Sequence, residues 1–169
     1  MLVCCVQPPP KTHDAHVDHA VDAGATIDAR HDLSIDEAIA RASTAYNVER
    51  AIVRAIAIRE SNMRPDLVVE RTDDWGLMQV HWYPGSPWLV GILSRKELLG
   101  VERNVMAGTH ELRWWRSYCR SNCPGGHHWF AHYKWGVRVP DDDRYGPAVE
   151  MIYRRLGGTN TTYVKRRPE

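Results

Sequence analysis

The sequence lacks several features that would place it in other classes of protein. Phenylalanine occurs once in 169 residues, so tryptophan and tyrosine supply nearly all of the aromatic side chains. No apolar run reaches the roughly 18–20 residues that a membrane-spanning helix needs. The 22 Lys and Arg, against 21 Asp and Glu, form no dense basic stripe, which argues against a nucleic-acid-binding surface. No internal repeat is present, so one globular domain plus a tail is the simplest interpretation of this length.

Residues 1–33 predict a flexible tether. Pro8-Pro9-Pro10 favours an extended chain, and the stretch after it is rich in Ala, Asp and His without a sustained apolar period. His13, His16 and His19 repeat every third residue, a spacing for which a metal site is conceivable. A disordered polar tether explains them better, because nothing nearby in the sequence would fix the ligand geometry.

The first five residues, Met1-Leu2-Val3-Cys4-Cys5, resemble the end of a lipoprotein signal without its charged and apolar regions. This interpretation predicts a lipid anchor at the N-terminus. The alternative is that Cys4 and Cys5 are two ordinary thiols.

The rest of the chain predicts one mainly α-helical domain over residues 34–158, followed by a basic tail at residues 159–169. Ser34 and Glu37 have the spacing of a capping box, which marks the start of the first helix. The spacing of apolar residues and the positions of Pro and Gly leave little room for a sheet beyond one small hairpin near residues 67–80. The predicted helices cover residues 34–45, 49–60, 86–99, 101–117, 128–135 and 145–156.

Tryptophan is unusually common, with seven residues. Tryptophan rings commonly pack on the faces of sugars, and the indole N–H can donate a hydrogen bond. For any single one of them, packing in the core is the simpler interpretation.

Glu60 is the most informative residue of the chain. It ends the apolar helical run at residues 51–59. A carboxyl group at the end of a buried helix is poorly hydrated, so its pKa is expected to rise. A carboxylic acid that stays protonated near neutral pH can donate its proton to a glycosidic oxygen. The alternative is a structural ion pair with Arg59 or Arg64.

Four motifs follow one another along the chain in the order of a known family. Glu60-Ser61 is followed 16 residues later by Gly76-Leu77-Met78-Gln79, and then come residues 101–108 and Ala131-His132-Tyr133-Lys134-Trp135-Gly136. Together they resemble the catalytic core of the lytic transglycosylases of the soluble (SLT) type. The resemblance covers residues 35–156 and implies an α+β, mainly helical, lysozyme-like fold with a small hairpin region beside the active-site cleft.

The resemblance also implies a reaction and a set of site residues. These enzymes cut the bond between N-acetylmuramic acid and N-acetylglucosamine in peptidoglycan without water. A single glutamate protonates the glycosidic bond and then acts as base on the C6 hydroxyl, which closes a 1,6-anhydro ring. On this chain the glutamate is Glu60, and Tyr133 orients it. The implied glycan-binding residues are Ser61, Met78, Gln79, Asn104 and Trp135, with Ser61 alternatively holding the surroundings of Glu60.

No metal, organic cofactor or nucleic acid is implied. The expected partner is the glycan strand of peptidoglycan, an anionic polymer that suits the mildly basic residues 34–169. The protein is expected to be a monomer in the cell envelope, periplasmic or associated with the outer membrane, or to be secreted. Other machinery of the envelope is a conceivable further partner.

The chain departs from the family pattern at three places. Lys134 replaces the usual Asn, residues 70–75 replace the usual small residues before Gly76, and His81-Trp82 stands where Asn or Pro is more usual. The last two lie beside the expected cleft, so a changed substrate preference is expected. A lysine close to Glu60 would also lower the pKa of that carboxyl group.

Two other functions fit the same fold. A hydrolytic muramidase similar to goose-type lysozymes would need a second carboxylate to position water, a role for Asp73 or Asp74. A catalytically silent glycan-binding or assembly module is favoured by Lys134 and by the altered loop before Gly76. Glu60→Gln separates them, because a binding module keeps its function while either enzyme loses it.

Cys119 and Cys123 lie four positions apart, close to His127 and His128. A disulfide that pins this loop is the preferred interpretation, because it suits an envelope location. Free thiols and a zinc site are the alternatives. Cys-x3-Cys followed closely by His-His is not a strong zinc-ligand spacing.

Overall fold

The computed structural model describes residues 33–123, 125–160 and 162–164. Residues 1–32 of the tether predicted over residues 1–33 lie outside the described residues, and with them the repeat of His13, His16 and His19 and the Cys4-Cys5 pair. Within the described part, none of the helices has the length and apolar character that crossing a membrane requires.

Five α-helices occur in the described residues. The predicted capping box is present: the Ser34 hydroxyl accepts the Glu37 N–H at 3.3 Å, and the Glu37 carboxylate accepts the Ser34 N–H at 2.9 Å. Asn47 and Asn62 end the first two helices in the left-handed conformation, which asparagine adopts more readily than most residues. The helices are α1 (Ile35–Tyr46), α2 (Arg50–Ser61), α3 (Val101–Ser121), α4 (His132–Trp135) and α5 (Tyr145–Arg155).

The prediction of a helix over residues 86–99 is wrong. That segment consists of turns, and only Arg95–Leu99 forms a 3-10 helix. Gly91 has φ +73°, a left-handed conformation that interrupts a helix. Trp88 is buried, and its ring lies 6.3 Å from that of Trp114 on α3, so packing of the indole decides the local path of the chain.

In the part of the chain that the structure describes, two small antiparallel sheets accompany the helices. The hairpin predicted near residues 67–80 is confirmed and has a third strand: β1 (Val68–Val69), β2 (Asp74–Trp75) and β3 (Val80–His81) pair in that order. A second sheet joins β4 (His127–His128) to β5 (Tyr163–Val164). It was not predicted, because a strand of two residues is too short to show an alternating pattern. β5 belongs to the segment that was expected to be a basic tail.

The core lies between the long helices. α1 packs along α3, and α2 packs against α5. The end of α2 meets the start of α5 where Tyr145 contacts Glu60. Three of the tryptophans are buried in this core, namely Trp88, Trp115 and Trp129, which agrees with the simpler interpretation for those three. Trp135 differs from them, since it is 42% exposed.

Candidate active site

Glu60 lies at the end of α2, where a tyrosine of α5 reaches its carboxylate. It is the second-last residue of α2 and is partly exposed. The Tyr145 hydroxyl donates a hydrogen bond to Glu60 Oε1 at 2.5 Å. Glu60 therefore combines a partly exposed carboxylate with an oxygen that Tyr145 holds in place.

Two tyrosines near Glu60 keep their protons. Burial raises the pKa of Tyr145 well above its ordinary value, and the neighbouring Glu60 charge adds to the effect. Burial also raises the pKa of Tyr133 well above its ordinary value. The charges of Glu111, Glu60 and Asp74 raise it further. Both hydroxyls are therefore neutral hydrogen-bond donors at neutral pH.

Tyr133 and Tyr145 have different hydrogen bonds. The Tyr133 hydroxyl donates to the Met78 carbonyl at 2.9 Å, and the Tyr145 hydroxyl donates to Glu60 Oε1. Tyr133 packs against Gly108 of α3, where an added Cβ would lie 2.9 Å from its hydroxyl oxygen. Tyr145 thus makes a contact of the orienting kind that was predicted for Tyr133, and the orienting role of Tyr133 stays a prediction. Sequence reasoning missed Tyr145 because the segment that holds it indicated only a closing helix.

Asn104 fixes the turn before β3 onto α3. Its Oδ1 accepts the Met78 N–H at 2.7 Å, and its Nδ2 donates to the carbonyls of Trp75 at 2.7 Å and Leu98 at 2.8 Å. Gly76 has φ +73°, and a Cβ there would lie 2.3 Å from the Leu98 carbonyl oxygen, so only glycine fits. The amide of Asn104 therefore holds the scaffold in this structure, and its binding of glycan stays a prediction.

Gln79 and Met78 are also buried. The Gln79 amide donates to the carbonyls of Leu67 at 2.9 Å and Gly76 at 2.8 Å. Met78 packs under α3, since a Cβ on Gly108 would lie 2.7 Å from its sulfur. Both side chains shape the turn at residues 76–79. Their contact with glycan stays a prediction that requires them to become exposed.

Ser61 is buried beside Glu60. Its hydroxyl donates to the Ala57 carbonyl at 3.2 Å and accepts the Arg64 N–H at 3.1 Å. Arg64 Nε donates to the Ser61 carbonyl at 3.1 Å, and the Arg59 guanidinium lies 5.7 Å from the Tyr145 ring centre. Ser61 therefore closes the end of α2, and its two predicted roles, binding glycan or holding the surroundings of Glu60, stay predictions.

Trp135 is the exposed aromatic side chain among the predicted glycan-binding residues. Its indole N–H donates to Asp143 Oδ1 at 2.8 Å. The same Asp143 oxygen accepts the backbone N–H groups of Tyr145 at 2.9 Å and Gly146 at 3.2 Å. Asp143 thereby ties an exposed indole ring to the start of the helix that carries Tyr145. Lys134, next to Trp135 on α4, is exposed as well.

The two aspartates considered as a second carboxylate have different surroundings. Asp73 accepts hydrogen bonds from Arg95 Nε at 2.8 Å and from the Trp75 indole at 2.6 Å. Burial raises the pKa of Asp73, but the hydrogen bonds from Arg95 and Trp75 outweigh it and lower the pKa below its ordinary value. Asp74 Oδ1 lies 3.1 Å from His81 Nδ1, and its charge acts on Tyr133. Of the two aspartates, Asp74 is therefore the one whose charge raises the pKa of Tyr133.

A separate cluster of polar side chains lies at the other end of α3. Cys119 and Cys123 are free thiols with their sulfurs 2.6 Å apart, so the preferred disulfide is wrong for this structure. The hydrogen bond from Cys119 lowers the pKa of Cys123 to about 4. His127 and His132 complete a buried group whose ligand-type atoms all lie within 4.8 Å of one another. In the described residues this cluster is the group suited to hold a metal ion.

The fold is mainly α with small sheets, and it is of the lysozyme-like class. At the end of α2, Tyr145 holds the carboxylate of Glu60. The family described as Transglycosylase SLT domain matches residues 37–133, more than half of the chain, and the chain belongs to this family. Members of the family act on peptidoglycan in the cell envelope. Searches of curated proteins and of solved structures found no match. The family match ends before Tyr145.

Replacing Tyr145 by Phe should lower the cleavage rate roughly 10- to 100-fold, because a hydrogen bond to a charged group contributes about 1.5–3 kcal/mol. The hydrogen bond from Tyr145 favours the carboxylate form of Glu60. Its loss favours the protonated form, so the pH above which activity falls should move upward in the variant. The measurement is kcat and KM for solubilised glycan chains across a pH series.

Tyr153→Phe is the matched control. Tyr153 lies on the same helix and its hydroxyl also donates to a carboxylate, that of Glu49 at 2.8 Å. The control should lower thermal stability while leaving the pH profile unchanged. An unshifted pH profile in Tyr145→Phe would show that Tyr145 has a structural role alone.

Proposed function

We propose that this chain is a lytic transglycosylase that cleaves the β-1,4 bond between N-acetylmuramic acid and N-acetylglucosamine without water. The observation that carries the proposal is the 2.5 Å hydrogen bond from Tyr145 to the partly exposed carboxylate of Glu60. Membership of the family supplies peptidoglycan as the substrate class. The product is a glycan strand that ends in 1,6-anhydromuramic acid.

Glu60 acts first as the acid. Its carboxyl proton goes to the glycosidic oxygen, the bond from that oxygen to C1 of muramic acid breaks, and N-acetylglucosamine leaves with a free 4-hydroxyl. Positive charge develops at C1 of the muramic acid, next to the carboxylate that Glu60 has become. Tyr145 keeps this carboxylate oriented, because its neutral hydroxyl donates to Oε1.

Glu60 then acts as the base. It takes the proton of the C6 hydroxyl of the same muramic acid, and the C6 oxygen bonds to C1 to close the anhydro ring. Glu60 ends the cycle protonated, as it began. Because the nucleophile belongs to the substrate, the reaction needs no second carboxylate to activate water.

The surroundings of Asp73 favour this reaction over hydrolysis. The carboxylate of Asp73 is engaged by Arg95 and by the indole of Trp75, so positioning a water molecule would cost those hydrogen bonds. The hydrolytic alternative therefore rests on Asp74, whose charge reaches Tyr133. A muramidase of that kind would use Glu60 as acid and Asp74 to hold water.

The proposed place of action is the cell envelope, periplasmic or at the outer membrane, with the protein acting as a monomer. The N-terminal lipid anchor stays a prediction, since residues 1–32 lie outside the described residues. Attachment there would leave the helical domain on a tether within reach of the wall.

The test is mass spectrometry of purified peptidoglycan digested by the full chain. Anhydromuramic ends, which are lighter than reducing ends by one water molecule, are expected. Reducing ends would overturn the proposal in favour of a hydrolase, and loss of those products in Asp74→Asn would then identify the second carboxylate. Peptidoglycan that is bound but left intact, with walls of several compositions, would favour the silent binding module.

A further inference from the structure

Four buried side chains with metal-binding atoms meet where the end of α3, β4 and the start of α4 come together. The Cys123 sulfur lies 3.1 Å from His127 Nε2 and 3.0 Å from His132 Nε2, and the two nitrogens are 2.9 Å apart. The Cys119 sulfur lies 2.6 Å from that of Cys123. We propose that these four residues bind one Zn²⁺ ion as a closed structural site.

The four ligand atoms are close enough together to surround one tetrahedral ion. Zn–S bonds of about 2.3 Å and Zn–N bonds of about 2.0–2.1 Å place the ligand atoms of a tetrahedron roughly 3.3–3.8 Å apart. The separations given above, from 2.6 to 3.1 Å, are shorter than this range, and all four atoms lie within 4.8 Å of one another. The side chains would therefore move slightly apart as the ion binds.

His132 is already oriented as a metal ligand. Its Nδ1 lies 2.5 Å from the Gly136 carbonyl oxygen, which can only accept a hydrogen bond. Nδ1 therefore carries the proton, and Nε2 directs its lone pair into the cluster. A histidine that donates its other N–H to a backbone carbonyl is the usual arrangement around a bound metal ion, because the hydrogen bond fixes the tautomer and the ring.

The spacing along the chain is also that of a zinc site once the correct histidines are paired. Cys119-x3-Cys123 and His127-x4-His132 lie within the usual ranges of about two to four residues between cysteines and three to five between histidines. The sequence alone suggested His128 instead of His132. In the structure His128 turns away, and its Nδ1 lies 2.9 Å from the Thr162 hydroxyl.

Burial and the complete ligand set indicate a structural rather than a catalytic ion. Cys123 and His132 are 2% and 0% exposed, and the Trp115 ring stacks on His132 with centres 5.0 Å apart. Four protein ligands leave no open position for water or substrate. A disulfide would use only the two sulfurs and leave two buried imidazole nitrogens facing each other. Zinc satisfies all four groups.

The site would lock α4 onto the end of α3. His132 begins α4, and the next residue is Tyr133, whose hydroxyl holds the Met78 carbonyl. Zinc would therefore stabilise the wall of the active site from behind without contacting substrate. The inference is independent of the proposed reaction, since the ion would be bound whichever bond the protein cleaves.

The test is zinc content of the full chain, purified under reducing conditions without chelator and measured by plasma mass spectrometry. The chain should hold about one zinc ion, the number that one closed four-ligand site takes. Exchange with Co²⁺ should give the visible bands of tetrahedral cobalt and a near-ultraviolet band from thiolate ligands. Zinc content should fall to near zero in Cys123→Ser, and the cobalt spectrum of the wild-type chain keeps the test valid if that variant does not fold.

The Cys4→Ser/Cys5→Ser double variant is the matched control, since it removes the two other cysteines of the chain. It should keep the zinc ion and the cobalt spectrum. A chain without zinc whose Cys119 and Cys123 form a disulfide on exposure to air would overturn the proposal. Zinc that persists in Cys123→Ser but disappears from the Cys4→Ser/Cys5→Ser double variant would overturn it as well.

Discussion

Glu60→Gln should lower the cleavage of peptidoglycan by at least about 1,000-fold, because general acid–base catalysis by one positioned group contributes roughly 10²- to 10⁴-fold and Glu60 serves in both steps. Glutamine has nearly the same shape but can neither donate a proton as an acid nor accept one as a base. The Tyr145 hydroxyl can still donate to the amide oxygen, so the fold should be kept. The measurement is the rate of release of soluble glycan fragments, with the melting temperature as a check on folding.

Glu70→Gln is the control for the change of a carboxylate to an amide. Glu70 is exposed in the short 3-10 helix after β1. Its substitution should leave the rate within a few-fold of the wild type. Near-normal activity in Glu60→Gln would remove Glu60 from the mechanism. If Glu60→Gln loses activity but binds peptidoglycan as the wild type does, binding and catalysis are separated.

The parts of the fold that could be predicted from the sequence are those decided by local signals. The capping box at Ser34 and Glu37, the apolar spacing of α2, and the start of α3 after Gly100 all depend on residues within a few positions of one another. Glu60 could be found for the same reason, since an apolar helix that ends in a glutamate is visible in one short segment.

The parts that could not be predicted depend on contacts between distant segments. Glu60 and Tyr145 are 85 positions apart, and nothing in either segment indicates that α2 packs on α5. His132 was assigned to the motif around Tyr133, so its neighbours in the cluster with Cys119 and Cys123 appear only when α3 and α4 are placed together. The path of residues 86–94 is decided by the burial of Trp88 and Leu89, which overrides the local signals for the helix predicted over residues 86–99.

Buried side chains also limit what a family motif can say about binding. Residues of the motif at Gly76-Leu77-Met78-Gln79 are suited by type to contact a sugar, yet Met78 and Gln79 are buried and the Gln79 amide bonds to backbone carbonyls. The motif is therefore at least partly a scaffold. The difference cannot be read from residue types, because an amide that binds a sugar and an amide that holds a turn look the same in a sequence.

Asn104→Ala should destabilise the protein by about 3 kcal/mol, because it leaves the buried Met78 N–H and the carbonyls of Trp75 and Leu98 without the hydrogen bonds that Asn104 gives them. For a chain of this size that corresponds to a fall of roughly 10 °C in melting temperature. Activity should fall as well, because the Met78 carbonyl that accepts from Tyr133 belongs to the same turn. The measurement is chemical unfolding of the variant beside the wild type.

Thr109→Val is the matched control, since Thr109 lies on the same helix and is fully buried. In the described residues its hydroxyl has no hydrogen-bond partner, so its removal should be neutral or slightly stabilising. Asn104→Asp sharpens the comparison: it keeps an acceptor for the Met78 N–H but places a second oxygen against the carbonyls of Trp75 and Leu98. This variant should be at least as unstable as Asn104→Ala at neutral pH. Equal stability of Asn104→Ala and Thr109→Val would contradict the scaffold role, and Asn104 would then be free to serve as the glycan ligand that the sequence predicted.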